Sequence, residues 1–255
     1  MTQPVWTNGN LANPHEVTDK AQRVQSMFSA IAPSYDLNNR LLSMWRDQAW
    51  RRAAVKAADV KSDDVVLDVA CGTGDLSLAF ASHKTAQGGG CSRVIGVDFT
   101  YDMLTIANQK NDNTDFQCVP TYQTGDAMHL PIADQRVDVV SIAFGIRNVS
   151  DPQLAIAEFN RVLRPGGRVI ILEFSLPRNA LMRGLYNFYF KHIMPRTATL
   201  ISGDRSGAYK YLPKSVNTFI EREQMTGMLK EVGFTDVTVK TLTFGIAVIY
   251  RGVKT

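Results

Sequence analysis

Three acidic residues lie in or at the ends of apolar runs of this chain, and two glycines follow the first of them. Val65-Val-Leu-Asp-Val-Ala-Cys-Gly-Thr-Gly-Asp75 passes through Asp68 into a turn at Gly72 and Gly74. A β-branched run of this kind reads as a strand buried on both faces. Glycines, having no Cβ, let the backbone turn sharply and approach a ligand. Asp75-Leu-Ser-Leu-Ala-Phe80 then opens a helix whose first N–H groups face whatever lies over the turn. Arg93-Val-Ile-Gly-Val-Asp98 is a second strand, ending in a carboxylate that can accept from both hydroxyls of a ribose. Gly125-Asp126-Ala127 follows a third strand, placed at 115–119. These residue types and spacings support nucleotide-type binding at the carboxyl edge of an α/β sheet.

A dinucleotide site needs G-x-G-x-x-G, and here the third position is Ser77, leaving a pyrophosphate without its usual cradle. The order Asp68-x-Ala70-x-Gly72-x-Gly74 instead resembles motif I of the class I S-adenosylmethionine (SAM) methyltransferases, with Ala70 where glycine is more usual. A sulfonium and an ammonium tolerate nearby carboxylates that would repel a pyrophosphate. Asp98 suits NAD as well, so it speaks to the fold more than to the cofactor.

The elements that position these residues alternate regularly. Strands at 65–70, 93–98, 115–119, 137–143 and 168–173 are separated by helices at 74–83, 101–110 and from the Asp151 cap to Leu163. That alternation implies an α/β fold with a doubly wound, mostly parallel sheet. Thr235–Thr241 and Ile246–Arg251 close the chain as two strands, giving the sheet an antiparallel C-terminal strand. Before the sheet, Val17–Ile31 and Leu41–Ala58 read as helices around a polar turn at 35–40, and residues 1–15 read as disordered. A helix from about Thr218 to Val232 precedes the last strands.

At 255 residues the chain suffices for one large domain. It has no apolar run of membrane-spanning length and no basic-then-apolar leader. Cys71, Cys91 and Cys118 form no C-x-x-C pair, which fits a reduced, cytoplasmic protein without a disulfide framework or a metal site. The net charge of +4 is unevenly placed: from Leu176 to Lys214 seven cations face Asp204 alone. That stretch reads as a solvated edge or as a surface for anionic lipid or an acidic partner.

From about Val24 to Lys254 the chain resembles the ubiquinone/menaquinone biosynthesis C-methyltransferase family. Four stretches carry the resemblance: Phe28-Ser-Ala-Ile-Ala-Pro-Ser-Tyr-Asp36 with Asn38-Asn39; Leu67–Asp75; Phe144-Gly-Ile-Arg-Asn-Val149; and Arg161–Arg168 through Leu172-Glu-Phe-Ser175. Tyr209-x-Tyr-Leu-x-x-Ser215 is a weaker mark. The resemblance implies a single methyltransferase domain over 16–255, with lid helices at 16–60 and an insertion at 176–217 facing substrate and membrane. It implies SAM as cofactor, with the family's contacts falling on Thr73, Asp98, Asp126 and Ala127; the motif I turn adds Asp68, Gly72 and Gly74 as cofactor-binding residues, and Ala143 beside the fourth strand completes the set. Ala143 stands where the family commonly has a serine, which removes one expected hydroxyl. The implied reaction is methyl transfer to a ring carbon of a polyprenylated quinol, demethylmenaquinol first among the acceptors. It needs no metal and no nucleic acid; peripheral contact with an anionic membrane and a homo-oligomer are compatible with it.

Such chemistry needs an electron-rich ring carbon, hence a phenol of pKa ~10 that loses its proton. Arg147, after the fourth strand, is placed to supply a stabilising charge; an ion pair with Asp151 or Glu173 is its competing role. Asn148 is placed to fix an acceptor oxygen, and Tyr35 to close over it, with helix-end packing as the alternative. His192 is a weaker candidate base, and the Tyr186–Met194 aromatics suit a prenyl tail or a core equally. Cys71 reads as a small buried hydrophobe. Three other readings stay open: an NAD-dependent oxidoreductase, though no Tyr-x-x-x-Lys pair is recognisable; a nucleic-acid methyltransferase, though no Asp/Asn-Pro-Pro-aromatic or Pro-Cys motif follows the fourth strand; and a non-catalytic SAM-binding scaffold.

Overall fold

The alternating apolar runs assemble into a seven-stranded sheet of order β3-β2-β1-β4-β5-β7-β6 in the computed structural model, which describes residues 5–6, 9–83, 93–116, 118–189 and 207–255. The strands are β1 (Val65–Val69), β2 (Arg93–Asp98), β3 (Thr121–Thr124), β4 (Val137–Ala143), β5 (Leu163–Phe174), β6 (Phe234–Leu242) and β7 (Ala247–Lys254). The first five pair in parallel, and β7 runs antiparallel between β5 and β6. The doubly wound sheet with an antiparallel C-terminal strand is therefore as expected. Alternate residues of each strand face opposite sides. Val66 packs beneath Trp50, Val55 and Phe80 on one face, while Leu67 packs with Phe159, Ile171 and Leu229 on the other. Fully burying a side chain of this size contributes roughly 1.5–3 kcal/mol.

Around the sheet lie α1 (Lys20–Ile31), α2 (Tyr35–Leu42), α3 (Arg46–Ala58), α4 (Asp75–Ala81), α5 (Tyr101–Asn111), α6 (Pro152–Val162), α7 (Ala180–Phe188), α8 (Ala208–Asn217) and α9 (Arg222–Glu231). Several boundaries differ from the sequence reading. The third strand is not at 115–119 but at Thr121–Thr124, a polar segment paired to β2 through Ile95↔Thr121 and Asp98↔Thr124. An edge strand needs no apolar run, so its sequence hides it. The polar turn at 35–40 is helical, with Asp36 in the first turn and Arg40 in the last, as the helix dipole favours. The helix drawn through 41–58 breaks instead at Met44 and Trp45, both at positive φ. Met44 N–H donates to Leu41 O and Trp45 N–H to Arg40 O, a Schellman ending with methionine in the place glycine usually takes.

The N-terminal stretch read as disordered contains a buried Trp6, stacked on Tyr211 at 4.4 Å between centroids, and a buried Leu11. The helix expected from about Thr218 to Val232 is present as α9, beginning at Arg222, and a further helix, α8, precedes it over a stretch assigned no element from sequence. Cys71 is a free thiol, but Cys118 is disulfide-bonded, against the expectation of reduced cysteines. Cys91, His192, the Gly88–Gly90 loop and the cations Lys191, Arg196 and Arg205 lie outside the described residues. Among those described, no helix is long and apolar enough to cross a membrane.

Candidate active site

The carboxyl ends of β1 and β4 carry a concentration of left-handed backbone. Ala70 (φ 49°), Gly72 (φ 56°), Gly74 (φ 80°) and Phe144 (φ 58°) all lie there. For residues with a Cβ this region costs ~1–2 kcal/mol, so Ala70 and Phe144 hold real strain. The turn after β1 is tied down at each step. Cys71 N–H donates to Val97 O at 3.1 Å, Gly72 N–H to Asp98 Oδ2 at 2.7 Å, and Gly74 N–H to Cys71 O at 3.0 Å. Asp98 also accepts from Thr100 N–H at 2.8 Å. Burial pushes its carboxyl above the ordinary range, and these backbone donors work in the opposite direction.

Over this turn opens a cleft reached by Gly72, Asp98, Asp126, Ala127, Ala143, Asn148 and Tyr35 of the expected site. Phe28, Phe99, Met103 and Met128 supply its apolar walls. Two carboxylates line it, and among the described residues no lysine or arginine does. Asp126 accepts from Met128 N–H at 2.9 Å, which fixes its carboxylate in a tight turn at the cleft edge. An acidic, cation-free cleft suits a cationic nucleoside and repels a pyrophosphate. Gly72 fits the same occupant, because a Cβ there would project to 4.0 Å from the Tyr35 ring.

Three expected cofactor residues do not line the cleft. Asp68 is buried beneath it, accepting from Ser77 Oγ at 2.6 Å and Ser141 Oγ at 2.9 Å. It clamps β1 to α4 and β4, and burial raises its carboxyl to about 6 despite those two hydroxyls. Thr73 Oγ1 donates to Asp36 Oδ1 at 2.6 Å and accepts from Lys110 Nζ at 3.0 Å. Lys110 in turn pairs with Asp36 at 2.5 Å and Asp75 at 2.6 Å, so Thr73 belongs to a latch joining α2, α4 and α5. Gly74 is a packing glycine: a Cβ there would run into the Tyr122 ring and come within 3.1 Å of Ala107.

A second, apolar chamber adjoins the cleft and shares Phe28, Tyr35 and Phe144 with it. Helices α1, α2, α3, α7 and α8 wall it, with Met27, Ile31, Trp50, Phe174, Met182 and Leu185 among its lining. The Phe144-Gly-Ile-Arg-Asn-Val turn divides its side chains between the two spaces: Asn148 lines the cleft and Arg147 the chamber. Arg147 Nη1 donates to Glu173 Oε1 at 2.7 Å and to Phe144 O at 2.5 Å. Its competing role as half of an ion pair with Glu173 is therefore realised. Asn148 Oδ1 accepts from the Tyr211 hydroxyl at 2.9 Å, and its Nδ2 donates to Phe144 O at 3.3 Å. Tyr35 stands where cleft meets chamber, and burial raises its phenol above the usual value.

Sequence reasoning missed Phe99, Met103 and Met128, whose apolar character gave no sign of their place. It also missed Lys20, a buried cation lowered to about 8 by desolvation, which donates to Val149 O at 2.6 Å and so ties α1 to the turn that carries Arg147. Among the described residues no cluster of three His, Cys, Asp or Glu side chains is placed to hold a metal.

The doubly wound sheet, the glycine turn and the acid ending β2 define a class I methyltransferase fold. A SAM-dependent methyltransferase of Thermotoga maritima shares that fold with a TM-score of 0.63 at 18% identity, over 91% of this chain and 99% of that one. The model of the ubiE/COQ5 methyltransferase family matches residues 16–254, and the chain belongs to that family. A ubiquinone/menaquinone biosynthesis C-methyltransferase of Geobacter sulfurreducens is 42% identical over 94% of this chain and 91% of its own. A demethylmenaquinone methyltransferase of Deinococcus radiodurans is 42% identical over 92% of this chain and 94% of its own.

Proposed function

We propose that this chain methylates a ring carbon of a polyprenylated quinol, with SAM as methyl donor and demethylmenaquinol as the favoured acceptor. The observation that carries the reading is the junction at Tyr35 and Phe144 between an acidic, cation-free cleft and a large apolar chamber. SAM supplies an electrophilic methyl group. Asp98 accepts from the ribose hydroxyls with the lone pairs its two backbone bonds leave free. Asp126 and Ala127, which line the same cleft, would hold the adenine edge. Asn148 shapes the cleft wall beside the transferred methyl.

The acceptor ring enters through the chamber and meets the cleft at Tyr35. One phenol ionises, and the neighbouring ring carbon forms the new C–C bond as the sulfur–methyl bond breaks, its own proton leaving as aromaticity returns. In-line approach to about 3–3.5 Å is the geometric condition, which α1–α3 meet by acting as a lid. Arg147 supports the developing phenolate with the part of its guanidinium not committed to Glu173 and Phe144 O; its Nε is buried without a partner among the described residues.

The chamber mouth supports peripheral membrane contact. Met44, Leu185 and Phe244 line the chamber and are 73%, 56% and 79% exposed, with Trp45, Leu181 and Phe188 exposed beside them on the same elements. A prenyl tail could pass from bilayer to chamber there without crossing water. Of the basic stretch, Arg178, Arg183, Lys210 and Lys214 are described, and Arg178 is paired with Glu223.

The reading is tested by incubating the protein with methyl-labelled SAM and chemically reduced demethyl-naphthoquinone or demethyl-benzoquinone in detergent, read by mass spectrometry. One labelled methyl on the ring of either acceptor supports it; SAM binding with no labelled acceptor refutes the quinol assignment.

A further inference from the structure

The chamber contains polar groups that the reading above leaves unused. Asn38 on α2 lines it at 2% exposure, and neither its Nδ2 nor its Oδ1 has a hydrogen-bond partner among the described residues. Buried amides are paired in the great majority of cases, and an orphaned one is a standing cost to the fold. Arg51 on α3 lines the same chamber, and its Nε is also unpartnered among the described residues. Its guanidinium carbon lies 5.5 Å from the centroid of Phe144, the ring shared with the cleft. Three arginines are buried in the described structure: Arg51, Arg147 and Arg168. Arg147 is neutralised by Glu173 and Arg168 by Asp64, whereas Arg51 has no carboxylate in ion-pair contact among the described residues. Arg51 acts on Asp75 and Asp68 from a distance without an ion-pair contact to either, and its orphaned Nε beside the orphaned Asn38 amide on one chamber wall points to an oxygen that arrives with the ligand.

We infer that Asn38 and Arg51 form an oxygen-binding pole for the acceptor ring, separate from Arg147. The inference rests on the quinol reading. A 1,4-dihydroxy ring carries oxygens at opposite ends; Arg46, Arg51 and Arg147 line the chamber, and of the two that are buried, Arg51 has no carboxylate in ion-pair contact among the described residues. The Arg51 guanidinium and the Asn38 amide N–H donate to the phenolate oxygen, so the positive charge there favours loss of the phenol proton. The same oxygen anchors the ring at the junction beside Phe144.

The test uses the full chain, methyl-labelled SAM and a reduced short-chain demethyl-naphthoquinone, with calorimetric SAM titration and thermal melting run in parallel. Asn38→Leu, close in shape and apolar, removes the orphaned amide. It is expected to melt at or above the wild-type temperature, to bind SAM unchanged, and to lose roughly ten- to hundredfold in kcat/KM for the acceptor, the size of one lost hydrogen bond to a charged group. Arg51→Gln is expected to move the rising limb of the kcat pH profile upward, and Arg51→Lys to restore part of it. If Arg51→Gln does not fold, Asn38→Leu still decides. Wild-type turnover in Asn38→Leu overturns the pole. So does a collapse of SAM affinity in Arg51→Gln, which would assign that cation to the cofactor's carboxylate. Failure of the wild-type protein to methylate the probe is a different result: it removes the quinol reading itself, and the pole with it.

Discussion

Arg147 Nη1 and Glu173 Oε1 are 2.7 Å apart, with both side chains almost wholly buried between the apolar chamber and the sheet. The guanidinium also lies 5.3 Å from the Phe174 ring centroid. Breaking such a pair from one side leaves an uncompensated buried charge, at a cost of about 3–5 kcal/mol, whereas replacing both partners by apolar groups is often neutral. Arg147→Met is therefore expected to lower the melting temperature sharply, and Arg147→Met with Glu173→Leu to recover most of the loss. Turnover should stay abolished in both if Arg147 supports the phenolate. A stable double variant with wild-type turnover would reduce Arg147 to a structural residue.

Asp68 makes stability depend on pH in an unusual direction. Burial raises its carboxyl from 3.8 to about 6, with Ser77, Ser141 and Arg51 opposing the shift and Asp98 adding to it. Between about pH 4 and 6 the folded chain keeps a proton that the unfolded chain has released. This group's contribution to stability therefore falls as pH rises through that window, by an amount on the order of 2–3 kcal/mol, and the cost is fully present above it. Asp68→Asn, which stays neutral, should flatten that part of the profile and be at least as stable as wild type at pH 8. Denaturant melts of the two proteins from pH 4 to 8 measure the difference; a variant markedly less stable at pH 8 would show that the ionised carboxylate is needed.

Thr73 and Asp36 act as one unit with Lys110. Thr73→Ala and Asp36→Ala should each cost about 1–3 kcal/mol, and the double variant little more than the larger single loss. SAM affinity should fall no further in Thr73→Ala than in Asp36→Ala, because the threonine hydroxyl is turned to the latch. Tenfold weaker SAM binding in Thr73→Ala alone would restore it as a direct cofactor ligand.

The two ends of the glycine turn should respond oppositely to substitution. Gly72→Ala places a Cβ at φ 56° facing the cleft, so it should cost ~1–2 kcal/mol of stability and weaken SAM binding. Ala70→Gly relieves a similar strain at φ 49° and pays ~0.5–1 kcal/mol in chain entropy, so stability should stay level or rise slightly. Calorimetry and thermal melting separate the two effects.

The parallel core was legible because β1, β2 and β4 are apolar runs whose register follows from burial on both faces. The edge strand β3 was not, since Thr121-Tyr-Gln-Thr124 pairs on one side and shows no hydrophobic period. Asp98 and Asp126 line the cleft, whereas the side chains of Asp68 and Thr73 turn into the packing around it; position in a motif does not show where a side chain points. Ser77, which with Ser141 holds Asp68, was visible in the sequence only as a missing glycine, and Ser141 only as one residue of a strand. Asn38 stood out only as part of a family stretch and Arg51 not at all: an asparagine on an amphipathic helix and one arginine among several reveal their isolation only once the helices pack.

An electron-rich acceptor ring meets the transferred methyl at the Tyr35–Phe144 junction in the proposed reaction. The decisive measurement uses trideuteromethyl-labelled SAM with demethyl-naphthoquinone held either reduced or oxidised, and locates the label by fragmentation. The account predicts one trideuteromethyl group on a ring carbon of the reduced acceptor and none on the oxidised form. Label on an oxygen, or equal labelling of both redox forms, would contradict it.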